Sequence, residues 1–253
     1  MSEVLEVLHD VATAVAGGLQ RLDHWGLAGT REGQYTFDLV ADRAALEVIE
    51  RAGFAALSEE SGLHGLGRDI LVVLDPVDGS TNLSRGLPWW ATSACALDEA
   101  GPLAAVVVDQ ANGVRYEATR GGGARRDGDP IAPTSCASMG EAIVGLSGYP
   151  PRWLGWSQYR TLGAAALDIC AVASGMLDAF IDCGPRSLAP WDYLGGLLVC
   201  AEAGAATGEA FRRDLVVTDP EARRTPVVAA TPALLGQALE ARASLPGHPS
   251  GKK

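Results

Sequence analysis

The sequence predicts an α+β protein of layered sheets, with helices between and outside them. Three observations carry this. Strand-like and helix-like segments mix along the chain without the strict alternation of repeated βαβ units. The run Ile70 to Leu74 is continuously apolar and bounded by polar residues, the pattern of a strand buried on both faces. Gly163 to Gly175 is apolar and made of small residues, and Trp191 to Ala203 is a second long apolar segment, which predicts a buried helix and a long apolar one.

In chain order, Val4, Leu5, Leu8, Val11, Val15 and Leu19 recur at helical spacing, and Gly17-Gly18 weakens the last turn. Trp25 to Gln34 is glycine-rich and reads as a loop. Asp42 is placed to cap or begin a helix that sets Ala45, Leu46 and Ile49 on one face and ends near Gly53. Phe54 to Leu57 is a short strand running into Ser58-Glu59-Glu60-Ser61-Gly62. Adjacent glutamates at a strand end are ordinarily a solvated pair. Here one short loop separates them from the next strand, so consecutive strands can bring the two ends together.

Trp89–Leu97, Leu103–Asp109 and Val114–Thr119 read as a meander, with turns at Gly121-Gly-Gly123 and Asp127-Gly128. Ala142–Leu146 is a further strand, and Tyr149-Pro-Pro151 opens an irregular segment through Trp156. Asp168, inside the buried helix, reads as a structural polar group or a solvent-facing one. Leu177–Cys183 is a strand and Gly184–Pro190 a loop. Trp191-Asp192 begins the long apolar helix, where an aspartate in the first turn is favoured by the helix dipole by about 0.3–1 kcal/mol. Gly195-Gly196 costs that helix roughly 1 kcal/mol per glycine against alanine, which predicts a close approach to its backbone. Val227–Thr231 is the last strand and Pro232–Leu245 the last helix. The expected organisation is a single domain over 1–245, with halves of about 1–140 and 141–245, and a disordered tail at 246–253.

The chemistry concentrates in Asp75-Pro-Val-Asp78-Gly-Ser-Thr-Asn82. The apolar run ends there, and Pro76 pushes Asp75 toward an extended conformation, so the strand ends stiffly and both carboxylates can turn to one point. Gly79 to Asn82 suits a loop opening a helix, whose N–H groups can hold an anion. Two carboxylates about 4 Å apart repel by roughly 4 kcal/mol at an effective dielectric near 20. Either one carboxyl is protonated or a metal is bound. With no His or Cys nearby, an all-oxygen set favours Mg²⁺, Mn²⁺ or Ca²⁺ over Zn²⁺, and Mg²⁺ bridging to phosphate is the natural choice. The plainer alternative is a strand-to-helix turn in which Asp75 and Asp78 cap backbone donors.

The formal net charge is -11. Such a surface argues against nucleic acid or anionic membranes as partners, while local cations can still admit an anionic small molecule. The first ten residues carry acids rather than a basic segment followed by an apolar one. No uncharged apolar run is long enough to span a bilayer. The five cysteines are scattered, without a C-x-x-C pair. These features predict a cytoplasmic protein with reduced thiols.

Leu57-Ser-Glu59-Glu60-Ser61, Asp75-Pro-Val-Asp78-Gly-Ser-Thr-Asn82 and Trp191-Asp192, in this order and spacing, resemble the motifs of the inositol monophosphatase family, which includes fructose-1,6-bisphosphatases and 3'(2'),5'-bisphosphate nucleotidases. The resemblance spans roughly Val4 to Leu239. It implies an αβαβα sandwich and a Mg²⁺-dependent, Li⁺-sensitive phosphomonoesterase, commonly a homodimer, using two Mg²⁺ ions or three. By the same resemblance Glu59, Asp75 and the carbonyl of Val77 would hold one metal, and Asp75, Asp78 and Asp192 the second. Ser80 would help orient the attacking water, with Asp42 paired to its hydroxyl. The backbone of Gly79 and Ser80 would hold phosphate, Gly163 and Ala164 would stand on the substrate side, and Asp182 would accept a sugar hydroxyl.

Several positions depart from the family pattern. Asp38-Leu-Val-Ala41-Asp42 is shorter than usual and lacks a threonine, and the lysine common just upstream is absent. Ala164 has no hydroxyl, Arg85 replaces a frequent histidine, and the loop Gly184–Pro190 is longer and carries Arg186. These departures leave the substrate open. Inositol monophosphate leads, with fructose 1,6-bisphosphate, histidinol phosphate or a nucleoside bisphosphate as alternatives, Arg85 and Arg186 being able to meet a second anionic group. A non-catalytic, metal-binding regulatory relative is the alternative of another class.

Overall fold

The computed structural model describes residues 2–20, 26–27, 34–184 and 188–245. The expected disordered tail, Arg186 and most of the glycine-rich loop lie outside the described residues. Two helices open the chain, α1 (Ser2–Leu19) and α2 (Thr36–Arg51). Next come β1 (Ala55–Ser58), β2 (Gly62–His64), β3 (Leu71–Asp78), the short helix α3 (Ser80–Arg85), β4 (Ala91–Asp98), β5 (Gly101–Asp109), β6 (Val114–Thr119), β7 (Gly123–Arg126) and β8 (Asp129–Pro130). The eight strands form one sheet in the order β2-β1-β3-β4-β5-β6-β7-β8. The second half comprises β9 (Ile143–Ser147), β10 (Gln158–Arg160), α4 (Ala165–Ala173), β11 (Ala179–Asp182), α5 (Pro190–Ala203), β12 (Ala206–Glu209), β13 (Pro226–Ala229) and α6 (Pro232–Ala243). Its five strands form a second sheet, β10-β9-β11-β13-β12. The short strands β10 and β12 went unforeseen in the sequence.

Alternation along the strands divides the core into three. Val72 and Leu74 of β3, with Ala104, Val106 and Val108 of β5, pack on α1 and α2. Val73, Ala105 and Val107 face the other way, onto α4 and α5. A third cluster lies between the second sheet and α6, through Val144, Ile181, Val227, Leu234 and Ala238. The layers are therefore helix, sheet, helix, sheet, helix, the expected αβαβα order. The unbroken apolar run of β3 is explained by burial on both faces.

The middle layer is tight. A Cβ at Gly195 would stand 2.8 Å from Ser93 Oγ, and one at Gly196 would stand 2.7 Å from Ile169 Cγ2. The glycine pair lets α5 lie against β4 on one side and α4 on the other, as their cost to the helix suggested.

Two local readings are corrected. The strand does not stop at Asp75; β3 runs through Pro76 to Asp78, with a register irregularity opposite β4 between Asp75 and Asp78. Proline's missing N–H is tolerated at such a bulge. The second helix begins at Thr36, not at Asp42, which lies within it.

Candidate active site

Strand pairing assembles the first part of the site. β1 runs parallel to β3 with Ser58 opposite Leu74, and the Glu59 N–H continues the ladder onto the Leu74 carbonyl at 3.1 Å. Glu59 thus emerges beside Asp75. The bulge supplies the second part. Residues three apart on a regular strand point to opposite faces. On β3, Asp75 pairs with Ser93 and Asp78 with Ala91, three steps against two. The extra residue turns Asp78 back to the face of Asp75 and sends Val77 into the α1–α2 core. The Asp75 carboxylate braces the bend, accepting the Val77 N–H at 3.0 Å.

Helix N-termini supply the rest. Asp192 lies in the first turn of α5, and its Oδ2 accepts the Ala189 N–H at 2.8 Å. Asp78 Oδ2 accepts the Ala166 N–H at 2.7 Å, at the start of α4. Asp38, in the first turn of α2, accepts the Tyr35 N–H at 2.8 Å through Oδ2, while its Oδ1 accepts the Ser80 hydroxyl at 2.8 Å. The positive ends of these helix dipoles offset part of the repulsion among the acids.

Carboxylate oxygens of Glu59, Asp75 and Asp192 lie within 4.8 Å of one another. Burial, reinforced by the charges of Glu59, Asp78 and Asp192, raises the Asp75 carboxyl well above its ordinary value. Burial likewise pushes Asp78 up to about 8 and Asp192 up to about 7. Carboxyls this close can be held together by a proton taken up among them. A divalent cation removes the need for that proton. The donors are all oxygens, clustered and desolvated, and they fit a hard cation such as Mg²⁺, Mn²⁺ or Ca²⁺.

Beside the cluster opens a cleft of about 510 Å³ lined by Asp78, Asp192, Gly163, Ala164, Asp168 and Tyr149 among others. Gly79 (φ +89) and Gly163 (φ +90) meet at its rim; a Cβ on Gly79 would stand 3.2 Å from Ala164 Cβ and from the Gly163 carbonyl oxygen. Asn82 ties the rim together, its amide donating to the carbonyls of Trp89 and Leu162 at 2.7 Å each. That is the physical use of the asparagine closing the Asp-Gly-Ser-Thr-Asn run.

Two expectations change and one open alternative is decided. Asp42 does not pair with Ser80; its Oδ1 accepts the Ser58 hydroxyl at 2.5 Å, and Ser58 Oγ accepts the Glu60 N–H at 3.2 Å. Asp42 therefore braces the segment that presents Glu59. The group at Ser80 is Asp38, placed there because α2 starts six residues earlier than expected; the sequence signal was an aspartate two residues past Thr36, where a helix's first turn favours an acid. Asp182 is fully buried and does not line the cleft. Its Oδ1 accepts the Gly184 N–H at 2.9 Å and its main-chain carbonyl accepts Arg242 Nε. Asp168 takes the structural of its two readings, buried against the wall of the cleft. Trp89 Nε1 donates to it at 2.8 Å, and burial pushes it up to about 7. A lone acid inside an apolar helix was the available signal.

Comparison with known proteins points to one family. A model of the inositol monophosphatase family matches residues 6–245. A fructose-1,6-bisphosphatase/inositol-1-monophosphatase of Archaeoglobus fulgidus is 34% identical over 179 residues, 68% of each chain. The Nus factor SuhB of Escherichia coli is 30% identical over 190 residues, 68% of this chain and 70% of that one. Among solved structures, a hypothetical protein of Pyrococcus horikoshii with similarities to inositol-1 monophosphatase superposes with a TM-score of 0.81 at 24% identity, covering 94% of this chain and 96% of that one. The inositol monophosphatase of Anabaena (Nostoc) sp. PCC 7120 gives 0.80 at 22% identity, covering 96% of each chain. The structural matches establish the fold and the family model spans nearly the whole chain: this protein belongs to the inositol monophosphatase family.

Proposed function

We propose that the protein is a Mg²⁺-dependent phosphomonoesterase acting on a small phosphate ester. The observation that carries this is the convergence of Glu59, Asp75 and Asp192 within 4.8 Å of one another, with Asp78 and Asp192 lining an open cleft. Glu59, Asp75, Asp78, Asp192 and the Val77 carbonyl would hold the ions, and Gly79 and Ser80 would meet the phosphate through their backbone. Bound divalent ions lower the pKa of a water and neutralise charge growing on the departing oxygen.

The chain's own groups direct the water. Ser80 Oγ stands 2.8 Å from both Asp38 Oδ1 and the Val77 carbonyl oxygen. A hydroxyl has one proton to donate and two lone pairs to accept with. Donating to Asp38, Ser80 presents its lone pairs to an incoming water, and the carboxylate behind it makes the hydroxyl a better acceptor. Ser80 acts as a relay and needs no covalent intermediate.

Sugar and polyol phosphates lead as substrates, inositol monophosphate first. Support for inositol itself is weaker than for the reaction class, because Ala164 offers no hydroxyl and Asp182 does not line the cleft. A regulatory reading draws on the SuhB relatives, which are called Nus factors; the complete acidic set favours catalysis. We place the protein in the cytoplasm as a homodimer; no helix among the described residues is long and apolar enough to cross a membrane.

The test is phosphate release from a panel of sugar, polyol and nucleoside phosphates, with Mg²⁺, without it, and with Li⁺ as competitor. Mg²⁺-dependent, Li⁺-inhibited turnover of at least one ester is expected. Mg²⁺-induced thermal stabilisation without turnover of any ester would favour the regulatory reading.

A further inference from the structure

Beside the acidic cleft lies a second cavity of about 120 Å³, with walls formed by Tyr149, Trp153, Trp156 and Tyr159 together with Leu146 and Arg152. Leu146 and Tyr149 also line the cleft that carries Asp78 and Asp192. The two depressions share a wall, one acidic and the other aromatic. Tyr149 is 81% exposed, Trp153 67% and Tyr159 49%. Large rings left in water together mark a binding surface rather than a packing accident.

These rings are held ready. Trp153 Nε1 donates to the Trp156 carbonyl at 2.9 Å, which fixes the indole while leaving it open to solvent. Trp156 is buried, and its ring centroid lies 5.7 Å from that of Tyr159, tilted by 53°. Tyr159 stands on β10, in register with Val144 of β9, the strand that also carries Leu146. A shelf built on a strand and a pinned indole loses little freedom on binding.

The occupant follows from the chemistry of the walls. Four aromatic rings make up most of them, beside Leu146, Pro150 and the Arg152 guanidinium, so a planar ring gains more contact there than a polyol. A cavity of roughly 150 Å³ takes a benzene ring, so this smaller one accepts one planar ring partly inserted. We propose that the Tyr149–Trp153–Tyr159 shelf is the leaving-group subsite of the cleft, and that it takes a planar π ring carried by the alcohol half of the phosphate ester. This rests on the phosphatase reading above and narrows its substrate class.

The experiment measures kcat/KM with Mg²⁺ for the full chain on phenyl phosphate and adenosine 3'-monophosphate, which carry π rings, and on glycerol 2-phosphate and inositol 1-phosphate, which do not. Stacking of a base on an aromatic side chain supports about a 5- to 150-fold effect. Trp153→Ala is expected to lower the ratio of ring-bearing to ring-free kcat/KM by that factor, and Trp153→Phe to restore most of it. A ratio that falls for phenyl phosphate alone assigns the shelf to a small single ring; a fall for both extends it to a nucleobase. An unchanged ratio overturns the proposal. So does a Trp153→Ala variant that turns a dimer into a monomer in sedimentation velocity with selectivity intact, because the shelf is then a subunit interface.

Quenching of tryptophan fluorescence by adenosine, with myo-inositol as control, needs no turnover. Saturable quenching by adenosine alone, lost in Trp153→Ala, is expected. If no ester is hydrolysed, the phosphatase reading fails while the same titration, run with adenosine and with phenol, still decides ring binding; absence of quenching by both overturns the shelf on its own.

Discussion

Asp75→Asn is predicted to make the metal-free protein more stable while abolishing its response to Mg²⁺. The carboxylate oxygens of Glu59, Asp75 and Asp192 lie within 4.8 Å of one another. At that distance an ionised pair repels by about 3.5 kcal/mol at an effective dielectric near 20. Asp75 takes part in two such pairs, about 7 kcal/mol with all three ionised. Proton uptake limits the penalty: holding a carboxyl of ordinary value 3.8 protonated at pH 7 costs about 4.4 kcal/mol. Asparagine removes that cost and its Oδ1 can still accept the Val77 N–H. The expected gain is about 2 to 4 kcal/mol, a Tm rise of roughly 4 to 16 °C in a domain of this size. Thermal unfolding in EDTA and in Mg²⁺ measures it. Wild type should be stabilised by Mg²⁺; the variant should start higher, gain little and release no phosphate. A variant that melts lower in EDTA, or that keeps both its Mg²⁺ shift and its turnover, would refute the reasoning.

Other expectations follow from the same geometry. Asp38→Asn and Ser80→Ala should lower kcat by about 10²- to 10⁴-fold, the range for a lost proton acceptor. Asp42→Asn, which can still bond Ser58, should lower it by less than about tenfold; steady-state kinetics on any accepted ester separates the two aspartates. In EDTA, stability should fall as pH rises from about 4 to about 8. Asp75 is raised, Asp192 sits near 7 and Asp78 near 8, so the folded chain holds protons that the unfolded chain has released. Saturating Mg²⁺ should flatten that slope, as Tm measured against pH in the two buffers would reveal. Gly196→Ala should cost about 1 to 2 kcal/mol in chemical denaturation despite the better helix propensity, because its Cβ would meet Ile169 Cγ2 at 2.7 Å.

Much of this site is legible in the sequence, because the chemistry sits in short contiguous runs. The apolar stretch before Asp75 announced a strand buried on both faces, and the glutamates after β1 needed only a parallel neighbour to reach it. The glycine pair in α5 announced the close contacts that α4 and β4 make with it. What stayed hidden depends on where a helix begins. The family likeness points to Asp42 as the partner of Ser80, whereas the start of α2 at Thr36 brings Asp38 there instead. The bulge between Asp75 and Asp78 was equally invisible, since Pro76 reads as a strand end as readily as a strand irregularity. Asp182 lies in the core rather than the cleft, and Asp168 takes the structural of its two readings, because one carboxylate in an apolar segment does not say which way it faces. The aromatic shelf is assembled from an irregular segment and an unforeseen edge strand, and no periodicity marks it.

The most direct measurement is anomalous X-ray scattering from crystals grown with Mn²⁺ in place of Mg²⁺. The account predicts strong peaks in ligand contact with Glu59, Asp75, Asp78 and Asp192, lost in the Asp75→Asn protein. Diffraction showing those four side chains intact and no anomalous peak among them, with manganese present in excess, would contradict it.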